Sequence, residues 1–129
     1  MATNGSKKLS KLQISTQALL RLVKEEKSYH KELEQDKAAV AALRAELARK
    51  LANGETPGEN DEYMIGQRDR AIKETEAVFA PLHTKIDNAV SNLEDAVKDA
   101  QDATEEELGN AKKAIADAKV LLAESAAAE

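Results

Sequence analysis

From Leu12 to Leu51 the apolar residues recur with a seven-residue period, and neither Gly nor Pro occurs between residues 12 and 52. One position of the repeat falls on Leu12, Leu19, Glu26, Leu33, Val40 and Leu47. The position three residues on falls on Ser15, Leu22, Tyr29, Asp36, Leu43 and Lys50. Steps of three and four keep such residues on one stripe of a helix. At 1.5 Å per residue, about 39 residues make a rod of roughly 58 Å. Propensity alone does not hold so long a helix in water, so the stripe requires a partner.

The partner follows in the same chain. Asn53-Gly54 supplies a helix C-cap, and Thr56-Pro57-Gly58 stops continuation, so 53–60 reads as a short polar loop between antiparallel neighbours. A second repeat runs from about 61 to 100, with Ile65, Ile72, Phe79, Ile86, Leu93 and Ala100 on one position and Arg68, Thr75, Leu82, Ala89 and Ala96 on the other. Val78, Val90 and Val97 widen this stripe, which suits contact with two neighbours. The pattern stays in phase on both sides of Pro81, which predicts a bent but unbroken helix. Thr104 to Glu107 reads as a capping box opening a third helix, whose stripe is Leu108, Ala111, Ile115, Ala118 and Leu122. Residues 125–129 are expected to fray. The reading is all-α: an antiparallel three-helix bundle of spectrin-like, coiled-coil type, with helices at about 12–52, 61–100 and 104–124. Residues 1–11 are expected to form a flexible tail, and 12–124 a single domain.

Composition agrees and excludes much chemistry. Of the 129 residues, 24 are Ala and three are aromatic (Tyr29, Tyr63 and Phe79), which suits a narrow helical seam better than a thick sheet core. There is no Cys, hence no disulfide and no thiolate nucleophile or metal ligand. A net charge of -5 with no Trp is poorly suited to nucleic acid. No apolar run approaches the roughly 20 residues that cross a bilayer. Met1 to Gln13 lack the apolar stretch of a secretory signal, so a cytosolic protein is expected.

No catalytic constellation stands out. His30 and Glu34 share an i, i+4 spacing, but nothing marks a third ligand for a metal, and no phosphate loop or nucleophile elbow is present. The chain is read as not an enzyme, with no cofactor and no small-molecule ligand. More informative are Glu26, Asp36, Arg68 and Thr75, polar residues on apolar stripe positions. A buried unpaired charge costs several kcal/mol or more, so these groups must find partners or reach water. With the first two helices antiparallel, Asp36 falls level with Ile72 to Glu76, which allows an Asp36–Lys73 contact, and Glu26 falls level with Phe79 to His83. Arg68 falls opposite Arg44 to Leu47. Such residues either fix register or leave a polar face for a partner.

The run Arg21-Leu22-Val23-Lys24-Glu25-Glu26, with Tyr29 and Lys31-Glu32 beyond it, closely resembles the first helix of the tubulin-binding cofactor A family. Arg44-Ala45-Glu46 resembles the end of that helix. Glu59 to Tyr63 resembles the acidic, Tyr-containing start of the family's second helix, and Pro81 matches its internal proline. The resemblance spans about Leu12 to Leu122. The loop at 47–60 is longer than the family's, and Ala77-Val78-Phe79-Ala80 replaces a Met-rich stretch. The resemblance implies a three-helix cytoplasmic chaperone of the cytoskeleton. Such a chaperone binds β-tubulin released by the cytosolic chaperonin and passes it on for heterodimer assembly without consuming nucleotide. It implies contact through Arg21, Lys24, Glu25 and Tyr29 on the first helix, and through Phe79 and His83 near the proline. A monomer is expected, with a dimer as the variant. From the heptads alone, a coiled-coil scaffold or oligomerisation module is an equal alternative.

Overall fold

The computed structural model describes residues 9–128. Three helices make up nearly all of it: α1 (Lys11–Ala52), α2 (Glu59–Asp99) and α3 (Glu105–Ala128). There is no strand among the described residues. The expected tail lies outside the described residues as far as residue 8. At Ser10 the chain is already capped: Gln13 N–H donates to Ser10 Oγ at 3.1 Å, and Ser10 N–H donates to Gln13 Oε1 at 2.9 Å. This reciprocal pair satisfies two donors that a helix start leaves open.

Each later boundary has an equally local cause. Gly54 takes φ +74°, Glu55 N–H reaches Lys50 O at 2.8 Å, and Gly54 N–H reaches Leu51 O at 3.1 Å. These are the two hydrogen bonds of a Schellman stop, and the left-handed backbone it requires is one that glycine adopts without steric cost. α2 then starts at Glu59, inside the segment read as loop to residue 60. Asp61 brings the start forward, because its Oδ2 accepts Gly58 N–H at 3.0 Å and also Lys50 Nζ at 3.0 Å. One carboxylate thus ties the end of α1 to the start of α2. At α3, Thr104 N–H donates to Glu107 Oε1 at 2.9 Å and Glu107 N–H donates to Thr104 Oγ1 at 3.0 Å, the capping box expected there.

The unbroken helix expected at Pro81 is present, and one departure concerns a helix end. α2 is continuous through Pro81, which is solvent-exposed; Phe79 and Leu82 on either side stay on the apolar stripe. Residues 125–128, expected to fray, are helical. Alanine is the strongest helix former, and Ser125 Oγ lies 3.2 Å from His83 Nε2, which ties the last turn to α2.

The contacts divide the chain into two compact units. The first joins the part of α1 up to Glu25, the part of α2 from Leu82, and α3. Its buried side chains come from all three helices: Leu12, Leu19 and Val23; Leu82, Ile86, Val90, Leu93 and Ala96; Ala111, Ala114 and Ala118. Leu19, Ile86 and Leu93 are wholly excluded from solvent. α3 contributes a small-residue face at i, i+3 and i+7, which lets its backbone approach the larger side chains of the other two helices. Lys119 Nζ closes on Glu94 Oε2 at 2.9 Å across α3 and α2.

The second unit runs from Glu26 to Pro81 and contains two helical segments. Two helices cannot enclose a core. Only Val40, Glu26 and Thr75 are buried here, while Leu33, Leu43, Leu47, Ile65, Ile72 and Val78 are half-buried. Ion pairs run along the seam: Lys50–Asp61 at 3.0 Å, Arg44–Asp69 at 2.7 Å and Lys37–Glu76 at 3.8 Å. Partner numbers rise on α2 as they fall on α1. Asp36 takes Arg68 at 3.1 Å and not Lys73, because the long guanidinium stem reaches past its own level. The sequence arithmetic compared only backbone levels.

Leu93→Ala should destabilise the protein by about 2–5 kcal/mol in denaturant unfolding, whereas exposed Ile14→Ala should stay within about 0.5 kcal/mol. The Lys50 ammonium, and next the Gly58 N–H, hold the Asp61 carboxyl below its ordinary value. A lowered folded-state value gives stability that is present above the unfolded pKa and lost as pH falls through the folded one. Asp61→Asn should therefore lose less stability than wild type when the urea midpoint is followed from about pH 5 to about pH 2.

Candidate functional site

Six residues were singled out by the sequence, and they divide between the two units. Arg21, Lys24 and Glu25 lie exposed on α1 in the first unit. His83 is in the same unit, half-buried on α2, with its Nε2 against Ser125 Oγ. Tyr29 and Phe79 belong to the second unit, and there the structure brings them together. Their rings meet edge to face, with centroids 6.5 Å apart and planes at 79°. This is the arrangement that the ring quadrupole favours.

Two further residues, not anticipated as a group, complete that cluster. The His30 imidazole stacks on Phe79 at 4.4 Å and 30°, and its Nε2 lies 2.9 Å from Glu26 Oε2. Glu26 is 2% exposed, whereas the His30 side chain is half in solvent. One hydrogen bond thus joins the two side chains, and the phenyl ring supports the imidazole face. The i, i+4 spacing of Glu26 and His30 was visible in the sequence. The sequence spacing also allows Glu34, one turn further on, but Glu34 is exposed and Glu26 sits on the seam. Among the described residues no group of three His, Asp or Glu side chains is placed to hold a metal ion.

The cluster therefore spends its aromatic surface on internal packing. What it offers to solvent is part of half-buried Tyr29 and half of the His30 side chain. In the first unit a shallow groove of about 420 Å³ runs between α1 and α3, lined by Gln17, Leu20, Lys113 and Asp117 among others. Its lining is mixed polar and apolar, with no convergent set of titratable groups of the kind that builds a reaction centre. The surfaces on this chain suit contact along helix faces.

A sequence model described as tubulin binding cofactor A matches residues 7–115. The chain belongs to the tubulin binding cofactor A family. Among solved structures it is similar to the crystal structure of tubulin folding cofactor A from Arabidopsis thaliana. The two are 25% identical with a TM-score of 0.60, over 84% of this chain and 92% of that one. Comparison with curated proteins gives no match. The cofactor A match takes in all of α1 and α2 and the first half of α3, so all six singled-out residues lie within it. It is the tubulin-binding family that the Arg21 to Glu26 run and Pro81 resembled.

Phe79→Ala removes both ring contacts and should cost about 1–2 kcal/mol of stability, less than a fully buried aromatic, because the ring is half-exposed. Thermal unfolding of the variant beside wild type checks this. An unchanged midpoint would mean that the cluster does not pack.

Proposed function

We propose that this chain is a tubulin-folding cofactor. On this reading it captures β-tubulin released by the cytosolic chaperonin and holds it until the αβ heterodimer assembles. It works in the cytoplasm as a monomeric, antiparallel three-helix bundle forming one domain, and it catalyses no reaction. The observation that carries this reading is the family match over residues 7–115. The similar plant cofactor supports it.

The proposed contacts are Arg21, Lys24, Glu25 and Tyr29 on α1, and Phe79 and His83 on α2. Burial grades them. Arg21, Lys24 and Glu25 are exposed, while Tyr29, Phe79 and His83 are half-buried and present less of their side chains. Arg and Tyr are enriched among residues that dominate binding energy, so Arg21 and Tyr29 are the places where truncation costs most.

Incubation with purified tubulin followed by native separation tests the proposal: β-tubulin alone should co-migrate with the chain. Migration of intact heterodimer, or of no tubulin at all, would overturn it. Sedimentation as an elongated oligomer would favour the scaffold alternative that the heptads leave open.

A further inference from the structure

Beyond the two cations already proposed as contacts, the outer face of α1 carries a longer feature. Arg21, Lys24, Lys27 and Lys31 follow one another at separations of three, three and four residues, so they form one row along a continuous helix. All four are exposed. Further along α1, Lys37, Arg44, Arg49 and Lys50 each reach an acidic partner at 2.7 to 3.8 Å. Among the described residues, none of the four side chains in the row makes an ion pair or a hydrogen bond. Glu25 and Glu34 border the row, and neither pairs with it.

The row costs the isolated protein something. Lys27 and Lys31 stand at i, i+4, where like charges destabilise a helix. It also sits in a chain of net charge -5, so it is a local reversal of the overall sign. Half-exposed Leu20 lies one turn before Lys24 and adds an apolar foot. Ten residues of helix make the row about 15 Å long, a length that about five residues of extended chain span.

We propose that this row docks an extended acidic segment of a client polypeptide, its carboxylates spaced along the four cations. For the identity of the client this rests on the tubulin reading; for the chemistry it rests on the row alone.

The test uses the full chain and a peptide of about ten glutamates, with the matching glutamine peptide as blank, in titrations at low and at physiological salt. The row variant combines Arg21→Gln, Lys24→Gln, Lys27→Gln and Lys31→Gln. A control of equal net charge combines Lys85→Gln, Lys98→Gln, Lys112→Gln and Lys113→Gln, and circular dichroism confirms that both remain helical. Wild type and control should bind the glutamate peptide alike, and the row variant about tenfold more weakly, with affinity falling as salt rises. No preference for glutamate over glutamine in wild type, or equal loss in both variants, would overturn the proposal. Capture of purified β-tubulin forms the second arm. If the row variant captures it as well as wild type, the row is overturned and the client reading stands. If wild type captures none, the client reading falls, and the peptide titration still decides the row.

Discussion

Leu19, Ile86 and Leu93 have no contact with solvent, and each belongs to a helix whose other faces are charged. Burying such a side chain stabilises by about 1.5–3 kcal/mol, and three long helices with few aromatic residues have little else of that size to draw on. The small face of α3 makes this burial possible. Ala111, Ala114 and Ala118 fill the third side of the first unit without holding the helices apart. A bulkier residue at any of these positions would push α3 outward and let water reach the leucines. The ion pairs of the second unit are exposed or half-buried, and exposed pairs contribute about 0–1 kcal/mol each. They select an alignment more than they supply stability.

Alignment also explains the buried acid. Glu26 occupies a seam position where leucine would bury more apolar area, yet His30 holds it at 2.9 Å and Phe79 backs the imidazole. No buried side-chain nitrogen or oxygen lacks a hydrogen-bond partner among the described residues. Thr16 shows the simpler solution, donating from Oγ1 to Leu12 O one turn back at 2.8 Å. A one-heptad slip of α1 against α2 would move Phe79 off His30 while keeping the apolar stripes matched. The polar residue at the seam penalises that slip, which an all-leucine stripe would not.

The features that sequence revealed are those set within four residues. The Thr104–Glu107 box and the Gly54 stop depend on neighbours in the chain, and both were legible. The Ser10–Gln13 box has the same spacing, but the Lys- and Gly-containing residues before it mask the helix start. Pairings across helices depend on side-chain reach. Asp36 lay level with Lys73, but Arg68 is long enough to arrive from further away. The division into two units left no trace in the pattern, since the heptads stay in phase through Glu25 and Pro81. Periodicity records that a face is apolar, not how many helices cover it. Of the singled-out site residues, sequence identified type and position, but whether a ring is spent internally, as Phe79 is, becomes visible only with the neighbouring His30 in place.

That internal use of the rings bears on how a holder of this kind would let go. On the proposed function nothing in the chain consumes nucleotide, so release of a client must come by mass action, as the next partner competes for it. A fully desolvated aromatic anchor would hold too long, because most differences in affinity between related complexes lie in the off-rate. Here Tyr29 and Phe79 pack on each other in the second unit, and the exposed face of α1 offers solvated cations. Contacts of that chemistry favour fast, electrostatically steered encounter and contribute modest affinity individually. On the proposed function, a narrow core and one face of cations therefore suit a protein that holds a client briefly and gives it up to a better-fitting partner.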